Sequence, residues 1–600
     1  MACWVVVCWV IACWVARMDV QQEPLPEESQ TFSAWNPGIE PDLPAELLPL
    51  ETIHRAENVT SCLAEVVELA EWTGIPMQEL VVFRPERLAL HELIVRINAD
   101  VVVQEAIEEE DLGKHFRNIV SEVMDNYIQP REDEIVEAYQ ELRTRASEAV
   151  LGVLDTSLFA SDEPEAPSRS LLDRYFRRRD RRPHRIESTL EKTYRVLRQY
   201  KESGLKAQDP FLAAIYKALY KVLGTIAVSR GYIGVEKSLL AKLVTDRVCN
   251  LYGSQIVGQI IAPAVRDAID REGYTRSKVA EKPIVISLKG ASAAGKSSLR
   301  PMLTKMIGQL GIAMDGYTTI SPDIWRRLLL DYSSLGANYK YAGRLTSHEV
   351  SAVDTKLDQY IRDKALVDGS IPHLLLDRFR FDSFSSEKIG RILLDTYLKF
   401  ADTMYLYFVV TPPEATVERG WERGLNRGRY KAVEDFLGHS VEAYEGMPRI
   451  LFKWLAHDKP KLKYQFLDNS VPKGTFPKTI AYGDRETLTI VDLPAFLNIE
   501  RYQKINVSAK SPEAVYLDSR AQVDGYSVKL LKRCLSAIPK VDFLDEATGQ
   551  VFLRAENGVL KVRDRSRLTG LAQNSILGDV LSELDPKIVP TSSARQKQDL

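Results

Sequence analysis

EKPIVISLKGASAAGKSSLRPMLTKMIGQLG, Glu281 to Gly311, decides how the rest of the chain is read. PIVISL (Pro283 to Leu288) is a short apolar run rich in β-branched residues, the pattern of a buried parallel strand. Glycine, small residues, a second glycine, lysine and serine follow. Gly290, Gly295, Lys296 and Ser297 fit the Walker-A pattern G-x-x-x-x-G-K-[ST] without a mismatch. The glycines let backbone wrap close to a polyphosphate, so that successive N–H groups and the positive end of the next helix face its oxygens. Lys296 brings a cation to the β- and γ-phosphates, and Ser297 offers a hydroxyl to Mg²⁺. The expected nucleotide-binding residues are Gly290, Ala291, Ser292, Ala293, Ala294, Gly295, Lys296, Ser297 and Ser298. Leu299, Met302, Leu303, Met306, Ile307 and Leu310 then recur at helical spacing, with Gly311 where a helix C-cap belongs. The segment reads as strand, phosphate loop, helix.

The chain has 600 residues, too many for one ordinary core, so two to four domains are expected. A net charge of −4 and a pI near 6.2 give no overall basic excess of the kind that marks a nucleic-acid binder. Three of the six cysteines (Cys3, Cys8, Cys13) lie in the first thirteen residues, leaving Cys62, Cys249 and Cys534. That is no disulfide framework, and it fits a reducing, cytoplasmic location. The opening run MACWVVVCWVIACWVARM is short for a membrane span and lacks a basic leader. An over-extended frame before Met18 is expected, a short membrane-associating tail being the alternative.

Residues 1–42 therefore form a lead-in. Residues 43–154 read as helical, and 155–187 as a linker that includes the basic stretch RYFRRRDRRPHR (174–185). That stretch is the one local signal for nucleic acid or an anionic membrane, and a solvated helix face is its plain alternative. Residues 188–280 form a second helical region, in which Phe211, Leu212, Ile215, Leu219, Val222, Leu223 and Ile226 make one core face. An α/β P-loop NTPase kinase domain, a parallel sheet flanked by helices, is expected over 281–510. A small α/β appendage over 511–600 has a hairpin around Gly549 and Gly558 and a disordered tail from Thr591. No Cys/His cluster is spaced for zinc.

A phosphate loop alone says only that a nucleotide binds. A kinase also needs a base for the acceptor hydroxyl, an acid near the metal and mobile arginines. After the strand-like IAMD (Ile312 to Asp315), Asp323 stands just before a helical pattern, placed to take a hydroxyl proton. Its plain alternative is an acid at a helix start. Arg344 and Glu349 open a long helix and are candidates to bind an acceptor; a surface helix charge is the alternative reading of Glu349. In HLLLDRFRF the apolar run ends in Asp377, a Walker-B-like acid for Mg²⁺, with Arg378 and Arg380 beside it; Asp377 and Arg380 are also candidates to bind the acceptor. After the strand MYLYFVVTP comes VERGWERGLNRGRY, carrying Arg419, Arg423, Arg427 and Arg429, a set suited to a lid over a transferring phosphate.

In this order GASAAGKSSLR, SPDIWR, RLTSHE, LLLDRFR and ERGLNRGRY, leading into KAVEDFLGHSVEAY, resemble the zeta-toxin family of P-loop kinases over about residues 282–510. The resemblance implies ATP- or GTP-dependent phosphorylation of a small-molecule hydroxyl, with Mg²⁺ and a nucleotide-like acceptor such as UDP-N-acetylglucosamine or NAD. It makes Lys296 and Ser297 the phosphate and Mg²⁺ residues, Asp323 the base and Glu349 an acceptor-holding acid. Arg419 with Arg427 or Arg429 would be the γ-phosphate arginines. It also implies restraint by an antitoxin or in cis by the helical region. Where many members carry acid-Gly-Thr after the third strand, this chain has Asp377-Arg378-Phe379-Arg380, which reshapes the acceptor pocket. Two other functions stay open: a nucleotide-gated interaction module with slow hydrolysis, and a polynucleotide-end kinase using the 174–185 patch.

Overall fold

The computed structural model describes residues 32–106, 108–159, 188–234, 236–378, 399–472, 474–516 and 527–588. The opening apolar run, the basic stretch 174–185, Arg380 and the tail from Thr591 lie outside them.

The first half is helical, as its apolar spacing predicts. Its main helices are α1 (Leu63–Thr73), α2 (Pro85–Asp100), α3 (Glu109–Val123), α4 (Glu132–Thr156), α5 (Thr189–Lys206), α6 (Pro210–Arg230), α7 (Lys237–Val248) and α8 (Ser254–Arg271). Of the face expected on α6, six residues are buried, whereas Leu212 is 41% exposed because it falls at the edge of the stripe. By length and composition α6 is apolar enough to cross a membrane; its apolar face packs within the helical region.

Ten strands form one mixed sheet with flanking helices, compatible with the expected α/β fold. They are β1 (Ile284–Gly290), β2 (Tyr317–Ile320), β3 (His373–Asp377), β4 (Thr403–Val410), β5 (Lys461–Asp468), β6 (Lys478–Asp484), β7 (Thr487–Ile490), β8 (Lys540–Leu544), β9 (Val551–Glu556) and β10 (Val559–Val562). Their order is β10-β9-β8-β7-β6-β5-β4-β1-β3-β2. β2, β3, β1, β4 and β5 run parallel; the near-continuous apolar sequences of β1, β3 and β4 suit strands covered on both faces, whereas the first half of β5 alternates exposed and buried residues.

Two expectations need correction. IAMD is not the second strand; the chain turns there, Met314 is 53% exposed, and the ladder forms from Tyr317, whose β-branched Thr318, Thr319 and Ile320 pair with β3. Nor does the sheet stop near residue 510. β8 pairs in parallel with β7, Thr487 opposite Lys540, so the C-terminal strands extend the same sheet. The hairpin at Gly558 is present, and Asn557 and Gly558 both take the left-handed conformation that its tight turn requires.

The helical region lies against this sheet and its long helix α10 (Ser347–Asp368). Asn98 donates to Thr319 O, and Tyr360 and Lys364 both reach Asp100.

Candidate functional site

β1 delivers its last residue, Gly290, to the C-terminal edge of the parallel strands, where ligands of such sheets gather. A Cβ at Gly290 would sit 3.0 Å from Val409 O, so the close approach of β1 to β4 requires glycine. Gly295 has φ +90°, and a Cβ there would meet Asn469 Nδ2 at 2.1 Å. The loop is braced from neighbouring strand ends: Thr411 Oγ1 and Asn469 Nδ2 both donate to Ala294 O, at 2.9 and 2.7 Å. A 3₁₀ turn (Lys296–Leu299) leads into α9 (Arg300–Gln309). Leu299, Leu303 and Ile307 are buried, while Leu310, expected on the same face, is largely exposed past the helix end.

Lys296 Nζ donates to Gly290 O and Ala291 O, both at 3.2 Å. Burial lowers its pKa, opposed by Asp377, Asp323 and Glu109. Asp377, at the end of β3 and paired in register with Leu288, is buried; that burial raises its pKa against the pull of Lys296.

Asp323 sits on the turn Pro322–Trp325 directly after β2, fixed by fully buried Trp325. Arg326 Nε donates to its carboxylate at 2.9 Å and Arg429 makes a second ion pair with it. Burial pushes this carboxyl up, but the two guanidiniums outweigh that and hold it well below the ordinary value. It is an ionised, tightly held acid.

The arginines come from α11 (Pro413–Arg427), which packs on α12 (Val433–Leu455) through Gly420, where a Cβ would strike the Phe436 ring. Arg419, Arg423 and Arg427 are spaced by four and share one face. Arg419 donates to Asn469 O and Val471 O and so ties α11 to the strand end beside the loop. Arg423 belongs to the expected lid set, but the γ-phosphate role was expected of Arg419 with Arg427 or Arg429. Arg423 Nε and Nη2 are buried without a hydrogen-bond partner, and burial with the nearby Arg429 lowers its pKa to about 9. It stays charged at neutral pH in the field of Asp323 and Glu109, and among the described residues no group hydrogen-bonds to these two nitrogens. Lys431, 3.2 Å from His439 Nδ1, lies in the field of Arg429 and Arg423, and burial lowers both pKa values.

An open cavity of about 460 Å³ is lined by Asp323, Arg326, Arg327, Arg423, Arg427 and Arg429, and on its far side by Glu109, Glu110 and Arg117 of the helical region. Those acids were invisible to sequence reasoning. Ser297 Oγ and Ser321 Oγ donate to Glu109, at 3.2 and 3.3 Å; Arg427 pairs with Glu108 at 2.5 Å and Arg117 with Glu110 at 2.6 Å. Glu109 thus stands between Ser297 and the cavity.

The acceptor candidates Glu349 and Arg344 fall elsewhere. Glu349 does not line the cavity: it is fully buried, accepts from Arg87 Nε at 2.5 Å and Nη2 at 2.8 Å, and lies 2.6 Å from His91 Nε2. Burial raises its pKa, but Arg87 and His91 overcome this and depress it far below the carboxylate range. His91 Nδ1 faces Lys356 Nζ at 3.0 Å; burial, with that ammonium, lowers the imidazole to about 3. The ring is therefore neutral, donating to Glu349 and accepting from Lys356. Arg344 does not line the cavity either; it lies 3.8 Å from both Asp42 and Asp435, and Arg378 is held by Asp354 and Asp358.

Among the described residues no group of three or more His, Cys, Asp or Glu is arranged to hold a metal ion. Mg²⁺ keeps waters and phosphate oxygens and needs few protein ligands. The unpartnered Arg423 nitrogens and the glycine cradle fit an anionic nucleotide, and Ser297 with Asp377 would hold its Mg²⁺.

No family model and no curated protein matches the chain. Among solved structures it is similar to one of the PezAT chromosomal toxin-antitoxin system of Streptococcus pneumoniae, at 16% identity over 34% of this chain and 74% of that one, with a TM-score of 0.25. It is also similar to two structures of the AvrRxo1-ORF1:AvrRxo1-ORF2 complex. One, with sulphate ions, has 14% identity over 36% of this chain and 63% of that one (TM-score 0.28); the native complex has 13% over 39% and 66% (TM-score 0.26).

Proposed function

We propose that this chain is a phosphotransferase that moves the γ-phosphoryl group of ATP or GTP to a hydroxyl of a small, nucleotide-like molecule. The observation that carries the reading is Arg423: a buried guanidinium with two unpartnered nitrogens, beside Arg427, Arg429 and Asp323 at the mouth of a braced glycine loop. Buried donors without hydrogen bonds are costly, and a phosphoryl group is the anion that this set of arginines accommodates best.

The loop amides and Lys296 hold the β- and γ-phosphates, and bound Mg²⁺ neutralises charge shared between them. Arg423 and Arg429 take up negative charge on the equatorial oxygens as the bond to the leaving nucleotide loosens. Asp323 orients the acceptor hydroxyl and receives its proton as the new O–P bond forms. Its two ion pairs depress its basicity, so its larger contribution is alignment, in keeping with a loose transition state. Those same ion pairs favour one second reading, the nucleotide-gated module, in which Asp323 would be structural.

The test is to incubate the chain with millimolar γ-labelled ATP or GTP, Mg²⁺ and a metabolite extract, beside Asp323→Ala. Label on a small molecule in the wild type alone is the expected result. Nucleotide binding or slow hydrolysis, equal in both proteins and without transfer, overturns the kinase in favour of the gated module.

A further inference from the structure

The cations that the proposed reaction assigns to phosphate are already met by carboxylates of the same chain. Glu108 caps α3, and Glu109, Glu110 and Asp111 form its first turn, where the helix dipole favours negative charge. This end of α3 is pressed on the turn that carries Asp323: Leu112 and Phe116 are fully buried, and a Cβ at Gly113 would lie 3.5 Å from Ile324. Glu109 accepts from Ser297 and Ser321 and lies 4.0 Å from Arg429. Glu108 takes Arg427, while Glu110 takes Arg117 and stands 3.9 Å from Arg327. Just upstream, Glu105 pairs with Arg300, at the start of α9, at 3.0 Å and accepts from Thr319.

We infer that Glu105, Glu108, Glu109 and Glu110 form a built-in inhibitor: their carboxylates imitate a nucleotide's phosphates at the glycine loop and the α11 arginines, and Mg²⁺–nucleotide binds only by displacing them. The inference rests on reading this cavity as a nucleotide site. Ser297 cannot serve Glu109 and a phosphate-bound Mg²⁺ together, nor Arg427 both Glu108 and a phosphate oxygen, so the two occupants exclude one another. The outer part of the hold is made to yield: Glu108 is 59% exposed and Glu110 32%, and ion pairs so placed are weak and screened by salt, while Glu109 at 13% and Glu105 at 6% are held more firmly. Arg423, left unpartnered by these acids, remains to recruit the incoming phosphate.

The experiment uses the full chain and the triple variant Glu108→Gln, Glu109→Gln, Glu110→Gln, titrated with a fluorescent ATP analogue and Mg²⁺. The variant is expected to bind at least tenfold more tightly than the wild type. Equal affinity overturns the inference, and so does weaker binding by Glu109→Gln alone, which would make Glu109 part of the binding site. A measurement on the wild type guards against a misfolded variant: saturating Mg²⁺–ATP is expected to raise amide hydrogen exchange over residues 108–113, and unchanged exchange at saturation overturns the inference. Phosphoryl transfer is read in parallel. Tighter binding without transfer by the triple variant upholds the inhibitor and removes the kinase; equal affinity with transfer by both proteins does the reverse.

Discussion

The helical region touches the sheet domain through two sets of ion pairs that differ in almost every physical respect. At Glu349 the charges are sealed: the carboxylate and His91 are fully buried, and Arg87 is 11% exposed. At the glycine-loop site the outer pair is open to water, with Glu108 59% and Arg427 31% exposed, although Glu109 behind it is only 13% exposed. A buried charge that loses its partner is left without water or counter-ion, whereas an exposed one is simply hydrated again. The first contact is therefore a permanent seam and the second a latch.

The contrast can be broken in steps. The largest effect is expected from Glu349→Ala, which strands the Arg87 guanidinium and should cost about 3–5 kcal/mol in urea unfolding. A loss under 1 kcal/mol would mean that the seam is not sealed. Next comes pH. His91 has a folded pKa of about 3, below its ordinary 6.5, so the unfolded chain binds the proton first. Stability from this group is full above pH 6.5 and is lost as pH falls towards 3. It should decline by about 2 kcal/mol between pH 7 and 5, and His91→Gln should flatten that slope. The depressed carboxyl of Glu349 acts in the same direction at lower pH, its contribution fading below the ordinary carboxylate value. Gly295→Ala, forced into φ +90° against Asn469, should cost about 1–3 kcal/mol in thermal unfolding and weaken nucleotide binding. Smallest of all, Glu108→Gln should leave stability within about 0.5 kcal/mol of the wild type while raising nucleotide affinity. A cost near that of Glu349→Ala would show that the latch is a second seam.

The glycine loop was legible because its chemistry is local: the residues that wrap a phosphate are consecutive, and strand and helix periodicity announce themselves on either side. The strands after it were legible as apolar runs, except β2, where IAMD and YTTI are both short and apolar and only pairing with β3 distinguishes them. Arg423 was within reach, four residues from both Arg419 and Arg427, but its vacant nitrogens are a property of the folded site. Glu109 was out of reach. It meets Ser297 across 188 positions, and before folding it is one acid among several in EEED. Glu349 was read as facing an acceptor because a helix-start acid gives no hint of what packs on it; Arg87 and His91 arrive from more than 250 positions away. The continuation of the sheet beyond residue 510 was hidden for the same reason, since parallel pairing of β7 with β8 leaves no mark in either strand.

The most direct test of the account is transfer of label from γ-labelled ATP and Mg²⁺ to a small-molecule acceptor by the Glu108→Gln, Glu109→Gln, Glu110→Gln chain, with and without Lys296→Ala. The account predicts a labelled product that disappears with Lys296→Ala while the fold, followed by circular dichroism, is unchanged. Undiminished transfer in the lysine variant, or tight nucleotide binding that yields no labelled molecule in either protein, would contradict it.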